Sequence, residues 1–211
     1  MKMRGQVWIE TVIYTLIAFA MIGAVLSVAK PKIEEIQDKA IIDQTIGMLD
    51  DMNSIILSVK KVSGNQRIIE LSIKKGGLNV DGVNDKIIFE MESRHTYSQP
   101  GEDVIVGSII AHTEKKGKFS IVTLTSNYSE YNITYNEKDE IKTITKAATP
   151  YKLSILNKGI DKIEEGIWTE NNPCNCPDKP GYSKTCTGEI TNGTNVCSYK
   201  SDRIRIDIEV I

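Results

Sequence analysis

The sequence predicts an α+β protein. A long N-terminal hydrophobic helix continues into an amphipathic helix and is followed by a β-rich, mainly antiparallel globular head. Three observations carry this prediction. From Val7 to Ala29 the chain is apolar except for one charge, Glu10. From Ile33 to Val59 apolar residues recur at steps of three and four, the period of one helix face. From Gln66 onward the period changes to two, as in half-buried strands. At 211 residues there is room for one domain of ordinary size beside a membrane segment.

The first element is the most distinctive. At about 1.5 Å per residue, Val7 to Ala29 makes roughly 35 Å of helix, enough to cross a hydrocarbon core of about 30 Å. Such a segment has three fates. Lys2 and Arg4 with the small-x-small site Ser27-Val28-Ala29 suit a secretory signal cut after Ala29. An uncleaved signal anchor explains the length. Neither explains Glu10, because a charged side chain in a membrane span is costly and normally has a partner. Orientation is not set by charge, since Lys30, Lys32 and Lys39 after the segment nearly balance Lys2, Arg4 and the amino terminus before it.

The third fate is cleavage ahead of the hydrophobic segment. Arg4-Gly5 followed by Gln6-Val7-Trp8-Ile9-Glu10 and an apolar helix resembles the class III signal peptide of archaeal type IV pilins. The resemblance covers about the first 30 residues. It implies that a prepilin peptidase cuts between Gly5 and Gln6 and that Glu10 becomes the fifth mature residue. Trp8 stands at the third mature position, where the family commonly has serine. The resemblance further implies a helix held in the membrane before assembly and then packed beside copies of itself or other pilins in a surface filament. There the Glu10 carboxylate would meet a neighbour's new amino terminus and set the register of assembly, a role attested for buried polar groups. An N-terminal glutamine can cyclise, which removes the amine. Archaeal flagellins share the peptidase and the helix but typically lack the glutamate. The implied organisation is a leader over 1–5, a transmembrane and assembly helix over 6–62, and an extracellular head over 63–211.

Beyond Lys30-Pro31 the helix pattern continues. Ile33, Ile36, Ala40, Ile42, Ile46, Leu49, Met52, Ile56 and Val59 form an apolar stripe. Glu34, Glu35, Asp38, Lys39, Asp43, Asp50 and Asp51 fill much of the polar face. Proline bends rather than ends a long helix when neighbours compensate, and Ser63-Gly64-Asn65 stops this one at about Val62. The stripe is expected to pack under the sheet that follows. Strands are predicted at 67–73, 86–91, 103–112 and 118–126, with shorter ones at 131–135 and 141–146. In the final RIRIDIEVI, Ile204, Ile206, Ile208 and Val210 alternate with Arg203, Arg205, Asp207 and Glu209, the pattern of a half-buried antiparallel strand.

Three N-glycosylation triplets begin at Asn127, Asn132 and Asn192. All four cysteines, Cys174, Cys176, Cys186 and Cys197, fall in one polar loop over 174–197, spaced C-x-C-x9-C-x10-C. Two disulfides would staple such a loop in an oxidising exterior. A Cys174–Cys176 ring is strained, so each is expected to take Cys186 or Cys197 as partner, in either connectivity. A four-cysteine zinc site is the alternative, but it usually shows two C-x2–4-C knuckles. No metal is therefore expected.

Composition and motifs argue against other classes. Lysine and arginine number 26 against 28 acidic residues, a net charge of −2 that gives no electrostatic case for nucleic acid. No nucleotide-binding loop, hydrolase elbow or zinc-protease motif occurs, so neither an enzyme nor a cofactor is expected. The segment GGLNVDGVNDKIIFE resembles a calcium loop only briefly. Aligning Gly82 on the loop glycine puts Gly77 first and Ile88 last, where carboxylates belong, so an Asp-Gly turn is the better reading. His95 and His112 have Glu92 and Glu114 nearby but no nucleophile. The reading that stands beside a filament subunit is a signal-anchored or secreted surface-binding domain.

Overall fold

The computed structural model describes residues 4–160, 164–168, 182–191, 194–201 and 203–211, with side chains over 8–160 and 203–211. One α-helix, α1 (Arg4–Val59), spans 56 residues and runs through Pro31. It ends at Val59, slightly before the Ser-Gly-Asn stop predicted it. Strands follow, so the chain is α+β as its periodicities predicted.

The strands form three sheets. In the first, the order is β1 (Gln66–Leu71), β9 (Tyr151–Ile160), β13 (Ile204–Val210) and β7 (Tyr131–Tyr135). In the second, it is β4 (Asp103–Val106), β5 (Ile109–Lys116), β6 (Phe119–Asn127), β3 (Lys86–Ser93), β2 (Gly77–Asp81) and β8 (Ile141–Thr145), antiparallel throughout. The third is β10 (Glu164–Trp168), β12 (Thr194–Ser201) and β11 (Tyr182–Thr191). Thus the polar cysteine loop expected over 174–197 includes strand. The predicted strand over 103–112 is two strands, because Gly107 adopts φ +61° and turns the chain into a β4–β5 hairpin.

Alternation builds the core. Ile87, Phe89 and Met91 of β3 are buried beside Val122 and Leu124 of β6, and Leu78 and Val80 of β2 continue the layer. Helix α1 lies against β1 and β9 of one sheet and against β3, β5 and β6 of the other. Its buried residues are Asp38, Ile42, Thr45, Leu49, Met52, Ile56 and Val59, at alternating steps of four and three. The lower stripe therefore packs as expected. Its upper part does not: Ile33 and Ile36 are 53% and 69% exposed, because they lie on the side of α1 away from Glu34 and Asp38, which the head contacts.

Two carboxylates placed on solvent faces by the pattern are buried instead. Asp38 accepts hydrogen bonds from Lys75 Nζ at 2.5 Å and from the Arg94 N–H at 2.7 Å. Asp207 accepts from Thr134 Oγ1 at 2.6 Å and the Glu137 N–H at 2.7 Å. The reason for Asp207 lies in topology. β13 is interior, antiparallel to β9 but parallel to β7, rather than purely antiparallel as expected.

Candidate functional site

The structure divides α1 into a clamped half and a bare half. The clamp begins where the helix ends. The last carbonyls of any helix lack intrahelical donors. Here the buried Asn157 side chain supplies them: its Nδ2 lies 3.0 Å from Val59 O and 3.1 Å from both Lys60 O and Val62 O. Its Oδ1 accepts the Gly159 N–H at 2.7 Å, and its backbone exchanges bonds with Gly64 and Asn65. Gly159 holds φ +86°, and a Cβ there would lie 2.9 Å from Ser63 Oγ, so the corner requires glycine.

Further along, Lys60 Nζ donates to the Tyr131 hydroxyl at 2.5 Å and sits 5.0 Å from the ring centre. Near the top of the head, Arg94 pairs with Glu34, and its guanidinium stacks over Phe119 at 4.7 Å. With the Asp38 anchor, these contacts fix the direction in which the helix leaves the head. Just beyond, Lys32 Nζ donates to Glu35 at 2.7 Å, and this bond holds the Glu35 carboxyl below the usual range.

The bare half is long and apolar enough to cross a membrane, and none of its apolar window is buried within the chain. Trp8, Phe19, Val25 and Val28 are each about two-thirds exposed or more, at 76%, 71%, 65% and 68%. A monomer in water rarely exposes a contiguous apolar patch beyond a few hundred Å². This half therefore needs a partner surface, whether lipid or protein. Gly5 and Gln6 lie in the first turn of α1, and Glu10 follows, exposed and with no polar partner among the described residues.

The other predicted positions are scattered. Asn127 is exposed at the end of β6, its Oδ1 accepting the Ser129 N–H at 3.1 Å, and its amide is open to a glycan. Asn132 differs from it. It sits within β7 at 3% exposure, so the folded head has no room for a sugar there. Cys174, Cys176 and Asn192 lie outside the described residues, while Cys186 and Cys197 are on β11 and β12. His112 Nδ1 pairs with Asp103 Oδ1 at 2.7 Å across the β4–β5 hairpin, rather than with Glu114. His95 sits beyond β3, where its backbone N–H and carbonyl both bond Ser93 Oγ.

The segment over 82–85 is a turn. Asp81 accepts from the Val83 and Asn84 N–H groups at 3.0 Å and from Asn84 Nδ2 at 2.8 Å, so its carboxylate is consumed by the loop itself. Asp85, held at φ 53°, pairs with Arg203 and accepts the Ile133 N–H at 2.9 Å, joining the two large sheets. A groove of about 720 Å³ runs between α1 and β1, lined by Ile41, Met48, Ile55, Ile69, Ile73 and several charged residues. Among the described residues no group of three or more histidine, cysteine, aspartate or glutamate side chains gathers as a metal site would.

Sequence reasoning missed Asn157 and Asp38. Asp38 had a usable signal, since it stands four residues before Ile42 on the buried face. Asn157 had only Gly159 nearby to mark a corner. The functional feature that the structure isolates is the bare apolar helix with its single carboxylate. No protein-family model matches the chain, nor does any curated protein or solved structure.

Proposed function

We propose that this chain is a structural subunit, major or minor, of an archaeal type IV pilus-like surface filament. The observation that supports this reading is the division of α1. One half is clamped into a head, and the continuous other half is predominantly apolar, uncovered and uncharged over 7–29 except for Glu10, directly after Arg4-Gly5-Gln6. A prepilin peptidase removes residues 1–5. The helix then waits in the membrane and moves into a filament core among copies of itself or other pilins. Once out of lipid, in a fibre surrounded by water, the helix is kept in the core by on the order of 25 cal/mol per Å² of apolar surface shielded from water. The head faces outward, carries any glycan at Asn127 and meets adhesion targets. No catalytic step and no cofactor enter this reading.

The mass of the mature N-terminus tests it. A chain beginning at Gln6, open or cyclised, is the expected result. A start at Lys30 would make the protein a secreted domain, and an intact Met1 an anchored one. Either would end the filament reading.

A further inference from the structure

The three-stranded sheet carries a feature that filament assembly does not use. β11 and β12 are antiparallel, and Cys186 stands opposite Cys197, between the pairs Thr185–Ser198 and Thr187–Val196. β12 is the middle strand, and on its other side Cys197 is partnered by Gly166 of β10. The row across the sheet therefore reads Gly166, Cys197, Cys186, and the glycine contributes no side chain to it.

Directly opposed residues of an antiparallel pair share one face of the sheet. Their Cα atoms lie about 4.5 Å apart at a non-hydrogen-bonded pair and about 5.5 Å apart at a hydrogen-bonded one. Disulfides span Cα separations of roughly 4.4–6.8 Å. The Cα separation of either kind of pair thus falls within the span of a disulfide.

We propose that Cys186 and Cys197 form a cross-strand disulfide that locks the β11–β12 hairpin. It forms by exchange with an external disulfide. The two cysteine thiols give up two protons and two electrons, one S–S bond forms between them, and the external disulfide is reduced to two thiols. This replaces the connectivity expected from spacing, in which Cys174 and Cys176 each take one distal partner. It also removes the two distal thiolates that a four-cysteine zinc site would need. The bond requires an oxidising compartment, and to that extent it rests on the export that the filament reading includes.

Tryptic mapping of the full chain decides it, with free thiols alkylated at the moment of cell lysis and no reductant added. Cleavage after Lys184 and Lys200 releases 185–200, which holds Cys186 and Cys197 but neither Cys174 nor Cys176. The expected result is a single unlinked peptide that gains two hydrogens on reduction. That difference is unaffected by a glycan on Asn192. Finding 185–200 cross-linked to the fragment that carries Cys174 and Cys176 overturns the proposal. So does finding both cysteines alkylated, the result for free or zinc-bound thiols. The mature N-terminus is read from a different peptide, so the filament reading and the disulfide fail separately.

Discussion

Asn157 shows how much one side chain can decide. It is buried, and its amide is the donor for carbonyls that the end of α1 leaves open. Replacing it with alanine takes this donor from Lys60 O, while Val59 O and Val62 O keep the Val62 and Asn65 N–H groups, and the loss should be about 1–3 kcal/mol. Urea unfolding of Asn157→Ala in detergent should show a lower midpoint with an unchanged slope. A second residue makes the head sensitive to base. Burial pushes the Tyr128 phenol up to about 12, against the lowering effect of the neighbouring Ser126 hydroxyl. The unfolded chain ionises this group near its ordinary value of 10, while the fold keeps it neutral. Its contribution is therefore fully present below pH 10 and is lost as pH rises toward 12. Tyr128→Phe should flatten the fall in stability over that range.

At the scale of elements, the apolar stripe of α1 has two roles that only the head distinguishes. Leu49 and Ile56 are buried against the sheets, whereas Ile36 points away from them, 69% exposed. Leu49→Ala should lower head stability by about 2–5 kcal/mol. Ile36→Ala should leave it within about 0.5 kcal/mol. Thermal melts followed by the β-sheet signal check both. The contrast explains what was legible in the sequence. Chained steps of three and four drift around a helix, so Ile33, Ile36 and Leu49 read as one stripe although, at about 100° per residue, the first two lie on the side away from Leu49. Strands with one buried face, such as β3 and β6, alternate clearly and were found. β9 was not, because it lies between β1 and β13 and buries Leu153, Ser154 and Ile155 in succession, with no alternation to read. β2 was hidden by the Gly76-Gly77 and Asp81-Gly82 turn signals that bracket it. The exposed helix and Glu10 were legible because length, hydropathy and a lone charge need no tertiary partner to be recognised. The Asp38 and Asn157 anchors depend on residues far along the chain, and only Asp38, in phase with Ile42, had a local pattern to announce it.

Considered whole, the molecule is a folded head holding out an apolar rod that it does nothing to cover. Burial alone would let such rods slide along one another, since one apolar residue serves nearly as well as the next. In the proposed filament Glu10 would break that equivalence, because its carboxylate would favour the axial offset that gives it a positive partner. After the proposed cleavage at Gly5, that partner would be the uncyclised amine of Gln6 on an adjacent subunit. Leaving one member of a buried pair without the other costs about 3–5 kcal/mol. Spent at every subunit addition, that is at least roughly a hundredfold in each association constant. Glu10→Gln should therefore still be cut after Gly5 and still fold its head, yet yield filaments reduced by that order or absent. Electron microscopy of cell surfaces, with the mature N-terminus confirmed by mass, reads both outcomes together. Filaments of normal number and helical repeat from the processed variant would show that Glu10 sets no register. The lone carboxylate would then need an explanation confined to its own helix.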